Sequence, residues 1–401
     1  MQTRRHDLDW VRVLAFGLLV VYHVGMYYVT WDWLVKSPLA GPTLEPLMML
    51  TSPWRLSLLF LVSGAATAFL PAKASASNAA SGFLGQRSWR LLIPLVFGML
   101  VIVPPQSYYE VVENLPGGYT EGYLAFWGRY LQGDDSFCHD GECLSLPTWN
   151  HLWFVAYLWV YTVALWLMLR LAPTIFGRME ARVRMVLSGS GLLLWPALYL
   201  VAARVMLVGV FETTHGLVDD WYNHTQYLPI FLLGYCIARA DAIWERIQRL
   251  RWPALFIALC SYGFLAWYFS HFSDTLEPPT AVRMVQRGVW GLNQWTSIVA
   301  ILGFAHRFAP ADSRALRYLS AAIFPVYILH QTVIVVAAHN LKPLALPIWL
   351  EGPLLIALTF GVCFAAYEVI RRSGPLRPLF GLKKEASARV QPVLIQKLAE
   401  P

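Results

Sequence analysis

Residues 11–29, VRVLAFGLLVVYHVGMYYV, form an apolar run with one arginine near its start and one histidine, His23, in its second half. At ~1.5 Å of rise per residue, a helix of that length crosses most of a ~30 Å hydrocarbon core. The preceding MQTRRHDLDW has the basic start of a signal peptide, but no small-residue cleavage site separates the run from YYVTWDWLVK at 27–36. The stretch therefore reads as a retained first membrane helix.

The pattern recurs to the far end of the chain. Of the 401 residues, 57% are hydrophobic and only 14% charged, and the mean hydropathy is +0.49, which excludes an ordinary soluble domain. Apolar stretches at about 11–29, 52–71, 90–107, 151–171, 185–208, 225–239, 252–271, 288–306, 318–339 and 347–370 predict an all-α polytopic membrane protein with about ten transmembrane helices. The sixth stretch is the shortest. Residues 1–375 are expected to form one transmembrane domain, and 376–401 a basic cytoplasmic tail that anchors to lipid headgroups.

Charge placement sets the orientation. Of 31 Lys and Arg, only Lys36, Arg55, Arg129, Arg204, Arg283, Arg287 and Lys342 fall in or beside the odd-numbered loops, and Arg12 lies within the first helix. The others cluster at the two termini and in the even-numbered loops, a bias that places both termini in the cytoplasm. The net charge of +7 is thus explained by the membrane surface, and no nucleic-acid partner is expected. Membrane lipid is the expected surroundings; oligomeric state is open.

The longest outer loop, about 108–150, carries FCHDGECLSL at 137–146. Cys138 and Cys143 suit a local disulfide on the oxidising side. His139 and Asp140 beside them leave a metal site as the alternative, but no second ligand pair stands at zinc spacing, so no metal is expected. Cys236, Cys260 and Cys363 read as small hydrophobes in apolar helices. Tyr27, Tyr28, Trp31, Trp33, Tyr108, Tyr109, Trp149 and Trp153 crowd the outer edge as an interfacial belt, some of them placed to stack on sugar rings.

Four groups of residues bear chemistry. His23 is twelve residues after Val11, ~18 Å into a ~30 Å core, where an ionisable group belongs in the bundle interior or a wet cavity. His330 lies twelve residues after Tyr318 in a helix that also runs outward, hence at the same depth. The pair reads either as a base with its positioner or as an interhelical hydrogen bond, and Pro325 loosens the helix below it. Arg87 and Arg90, three apart at a helix start, are either positive-inside charge or a bidentate phosphate clamp. Asn150, His151 and Trp153, at the outer lip of the fourth stretch, are either acceptor-binding residues or an interface anchor. Asp9 and Arg12 form an expected structural pair near the inner surface.

The ordered segments RRHDLDWVRVLAFGLLVVYHVG (4–25), WRLSLLFLVSGAATAFL (54–70), RSWRLLIPLVFGMLVIVPPQ (87–106), HLWFVAYLWVY (151–161), YLPIFLLGY (227–235) and FPVYILHQ (324–331) together resemble the membrane-bound acyltransferase 3 family. HLWF, YLPIFLLG and the YEVIRR at 367–372 are similar to its glucan succinyltransferase branch. The resemblance implies transfer of an acyl group from cytoplasmic acyl-coenzyme A to a hydroxyl of an extracytoplasmic carbohydrate or glycolipid in a bacterial inner membrane. It makes His23 the catalytic histidine, as general base or as a covalent acyl carrier, and Arg87 and Arg90 the donor-binding pair. His330 or a backbone N–H is expected to polarise the thioester. No esterase-like domain of the kind fused to some relatives follows the tenth stretch, so the membrane part is expected to complete the transfer. The competing reading is a transporter or flippase with His23 and His330 lining its path, against which stands the lack of repeated halves with paired broken helices.

Overall fold

Within hydrocarbon no water satisfies the backbone, so each apolar stretch must close its hydrogen bonds internally, as a helix does. The computed structural model describes residues 5–69, 79–139, 142–189, 191–272 and 276–383. Each of the apolar stretches is the body of one helix. We number these α1 His6–Met26, α2 Arg55–Ala68, α3 Gly82–Asn114, α4 Trp153–Leu171, α5 Gly191–Leu207, α6 Trp221–Ile237, α7 Arg251–His271, α8 Thr280–Phe308, α9 Arg314–Leu341 and α10 Ile348–Arg372. Among the described residues the only strands are the two-residue pair Cys138–His139 and Glu142–Cys143.

Six of these helices are long and apolar enough to cross a membrane, and the number rises to eight if the bent pairs of Pro173–Leu187 with α5 and of α6 with Asp241–Arg249 each form one span. α2 has 14 residues and falls short alone, while α8 has 29 but buries Gln286, Asn293 and Gln294. Large apolar side chains stand exposed on the outside of the bundle, among them Leu14, Leu171, Phe256 and Trp349, as lipid solvation allows and water does not. Arg5 and Lys383 line one cavity, so the two ends of the described chain share a face. Most of the tail at 376–401, beyond Lys383, lies outside the described residues.

Proline shapes several helices, and aromatic donors answer it. A helical proline supplies no N–H to the carbonyl four residues earlier. Pro104 in α3 leaves the Leu100 carbonyl, which the Trp127 indole reaches at 2.9 Å. Pro196 in α5 leaves Leu192, met by Trp295 at 2.8 Å. Pro229 in α6 leaves Thr225, met by the Tyr199 hydroxyl at 2.7 Å. Just before Pro104 the helix widens into a π turn at Gly98–Ile102, and the carbonyls it displaces are taken by Tyr130, 2.9 Å from Met99, and Thr332, 2.7 Å from Ile102. The segment expected as an outer loop from 108 is thus partly helical: α3 runs on to Asn114, and a further helix, Tyr123–Gln132, holds the donors that seal the broken turn.

Two glycines set the closest helix contact. A Cβ on Gly64 of α2 would lie 1.9 Å from the Phe231 carbonyl oxygen, and one on Gly234 of α6 would lie 2.0 Å from that of Leu61. Small residues of this kind let membrane helices meet backbone to backbone. Gly64→Ala is expected to lower stability by about 1–3 kcal/mol through overpacking. Thermal unfolding in detergent checks it against Gly263→Ala, where a Cβ meets nothing within 4 Å.

Candidate active site

α1 starts at His6 rather than at Val11, which leaves His23 in the last turn of that helix. Its Nδ1 lies 2.8 Å from Nε2 of His330 on α9, with the rings stacked at 5.0 Å between centroids. His330 Nδ1 is 2.6 Å from the Tyr327 carbonyl oxygen. A carbonyl only accepts, so His330 must carry its proton on Nδ1 and offer the Nε2 lone pair to His23. His23 therefore donates from Nδ1, and its Nε2 is the unprotonated nitrogen. His23 lines a cavity of about 690 Å³. Both nitrogens of His330 are engaged, which suits it to hold His23 and leaves it no N–H for a substrate carbonyl, contrary to the expectation that it polarises the thioester.

His151 is similarly committed. Its Nε2 is 3.1 Å from the Ile328 carbonyl oxygen and its Nδ1 3.4 Å from Nε2 of Gln106. Gln106, fully buried on α3, is a hub: its Nε2 also donates to Thr332 at 2.7 Å, and its Oε1 accepts from Asn150 and Gln331, each at 3.2 Å. Such a network fixes its members because each unmet buried polar group is costly. Asn150, His151 and Trp153 do line the His23 cavity. Of the three, Trp153 offers an aromatic face, stacked on His215 at 4.5 Å and beside Tyr227 at 6.1 Å. Outside the helices, burial holds His215 below the ordinary imidazole range, against the pull of Asp220.

A second cavity, of about 860 Å³, opens toward the face that holds the chain ends. Its walls carry Arg5, Arg12, Arg87, Arg90, Arg371 and Arg377 against the single carboxylate of Asp9, which pairs with Arg12 at 3.3 Å. Arg87 and Arg90 sit inside α3, which begins at Gly82 rather than at the arginines. Arg87 Nη2 reaches Thr67 Oγ1 at 3.3 Å and its Nε has no partner among the described residues; Arg90 Nε reaches the Gly381 carbonyl at 3.3 Å. Donors remain for an anion. Pro325 removes the helical partner of the Ala321 carbonyl, and Ala321 lines the same cavity.

Phe154 of α4 is the wall between the two cavities, for it lines both. Its ring stands 6.2 Å from Phe16, on the basic side, and 6.1 Å from Tyr327, on the histidine side, while Phe16 and Tyr327 are 5.3 Å apart. These three rings make a septum between a basic chamber and an aromatic one. Cys138 and Cys143, across the molecule, are joined by a disulfide. Asp140 and the His139 side chain, named with them as a metal alternative, lie outside the described residues.

Gln106 and Arg55 were not singled out by the sequence. Gln106 follows a Pro-Pro pair that reads as a loop breaker, and Arg55 reads only as an outer-loop charge, although each is a polar group beside an apolar run, which is a signal in itself.

The fold and site define a multi-pass helical membrane protein with a histidine pair at one of two chambers divided by Phe154. The chain matches the acyltransferase domain of the acyltransferase 3 family over residues 5–368, and it belongs to that family of membrane acyltransferases. It is similar to glucans biosynthesis protein C of Escherichia coli O6:K15:H31 (strain 536), with 22% identity over 95% of each chain. It is likewise similar to the protein of that name from E. coli strain K12 / DH10B, with 21% identity over 95% of each chain. No solved structure matches.

The hydrogen-bond order makes a spectroscopic prediction. In protein labelled with 15N-histidine near neutral pH, His23 and His330 are both expected as the Nδ1-protonated tautomer, the opposite of the form favoured in free histidine. An Nε2-protonated His23 contradicts the arrangement.

Proposed function

We propose that this protein is an acyl-coenzyme A-dependent O-acyltransferase that moves an acyl group of the acetyl or succinyl class across the membrane to a hydroxyl of an extracytoplasmic carbohydrate or glycolipid. The observation that carries the reading is the pair of chambers divided by Phe154, with the arginines on one side and the lone pair of His23 on the other. The orientation, ten spans with both termini in the cytoplasm of a bacterial inner membrane, follows the distribution of Lys and Arg. The membrane domain is residues 1–375; of the segment after it, residues 376–383 pack back on the bundle, where Phe380 is buried and the Gly381 carbonyl meets Arg90.

In this reading Arg87 and Arg90 hold the donor's phosphates by charge-assisted bonds, and the thin pantetheine arm passes the septum. The acceptor enters among Asn150, His151 and Trp153; the aromatic faces of Trp153 and its neighbours stack on it, and the Gln106 hub keeps Asn150 and His151 in place. His23 Nε2 takes the hydroxyl proton as the oxygen attacks the thioester carbonyl. The C–S bond breaks, the ester forms, and the proton passes from His23 to the departing thiolate. His330 keeps His23 in the correct tautomer and is a positioning residue.

Vesicles containing the protein, loaded with labelled acyl-coenzyme A and given external acceptor, provide the test. His23→Ala is expected to lose ~10²–10⁴-fold in rate, the usual worth of a general base; full activity at equal abundance sinks the mechanism. Arg87→Ala with Arg90→Ala is expected to weaken coenzyme A binding at least ~10-fold, and an unchanged dissociation constant removes them from the donor site. Phe154→Ala is expected to raise donor hydrolysis without acceptor, because water then reaches the thioester through the septum; hydrolysis equal to wild type argues against a sealed partition.

A further inference from the structure

Arg55 opens α2 and lines the His23 cavity, and it is only 5% exposed. Among the described residues its Nη1 donates to Thr51 Oγ1 at 3.2 Å and its Nε has no hydrogen-bond partner. The guanidinium carbon lies 3.3 Å from the centroid of the Tyr22 ring, whose hydroxyl is fixed by Ser52 at 3.3 Å. No carboxylate among the described residues pairs with it, although Asp32 and Glu110 line the same cavity. Other arginines of the chain do find acids: Arg129 meets Asp134 at 2.6 Å and Arg371 meets Glu368 at 2.7 Å.

A guanidinium taken out of water is strongly unfavourable unless an anion joins it. The ring beneath it offsets part of that cost, but leaves Nε and the Nη donors not turned to Thr51 without an anion among the described residues. Those donors form a planar fork matched to a carboxylate. The fork is also close to the reacting centre, because Tyr22 beneath it has its ring centroid 6.2 Å from that of His23.

We propose that Arg55 binds a carboxylate carried by the reacting substrate inside the His23 cavity, and so selects for it. This assignment rests on the acyl-transfer reading above and goes further, to the chemical class of what is transferred or received. A short dicarboxylic acyl group spans about 4 Å between its two carboxyl carbons, which lets its thioester face His23 while its free carboxylate meets Arg55. The same carboxylate chemistry arises in a uronic acid of the acceptor.

Wild type and Arg55→Gln in vesicles separate the sources. The donor arm compares succinyl-coenzyme A with its neutral monomethyl ester on a neutral glucan oligosaccharide; the acceptor arm compares that oligosaccharide with its uronic form, using acetyl-coenzyme A. Wild type is expected to favour the carboxylated member of one arm at least ~10-fold in kcat/KM, and Arg55→Gln to bring that ratio close to one. Arg55→Lys, which keeps the charge and loses the fork, is expected to fall between. Discrimination in the donor arm assigns the carboxylate to the acyl group, and in the acceptor arm to the sugar. A wild type that discriminates in neither arm overturns the assignment, as does a ratio that survives Arg55→Gln. Wild type that transfers no acyl group from any of these donors overturns instead the acyl-coenzyme A reading on which it rests.

Discussion

The hydrogen bond from His330 Nδ1 to the Tyr327 carbonyl is the constraint from which the chemistry of the site follows. A backbone carbonyl cannot change its role, so the proton on His330 is placed by the main chain, and the proton on His23 is placed in turn by His330. The unprotonated nitrogen of the pair is thereby Nε2 of His23, on the residue that lines the cavity. The same bond ties the site to α9 at the turn above Pro325, where the helix already lacks one hydrogen bond. An imidazole in bulk water has no such fixed order, since solvent satisfies either tautomer equally well.

Satisfaction of polar groups away from water governs the surroundings as well. The π turn and Pro-Pro pair of α3 release carbonyls that Trp127, Tyr130 and Thr332 take up. Thr332 also receives the Gln106 amide, which in turn fixes Asn150, His151 and Gln331. A helix irregularity, an outer segment and the floor of the cavity are thus one connected network. His151 illustrates the result: it lies at the chamber wall, but its nitrogens are turned to the protein, so its value to a substrate is the shape it gives the wall.

Hydropathy made the helices legible, because apolar length is what a membrane requires of each segment. That His23 and His330 share a level was legible too, since helical rise is fixed and each stands twelve residues into its run. The irregularities were not: the 14-residue α2 and the π turn depend on which neighbours supply close backbones or donors, as Gly64 against Phe231 and Trp127 against Leu100 show. Arg87 and Arg90 were read correctly as sharing a face but misplaced at a helix start, because the apolar run begins later than the helix does. Arg55 was hidden by its location. Near an outer loop a basic residue counts toward topology, and only its neighbours reveal that it is buried without an acid.

The septum of Phe16, Phe154 and Tyr327 has an electrical consequence. Where water fills both chambers, the potential that falls over ~30 Å in the surrounding hydrocarbon is concentrated, along the path through the protein, across these rings. A charge on His23 stands at one end of that fall, on the side away from Arg87 and Arg90, so moving it across the septum would couple to most of the voltage. In the proposed reaction the proton that leaves with the thiol adds no charge movement of its own, so turnover would feel the voltage only where the transferred group carries a carboxylate.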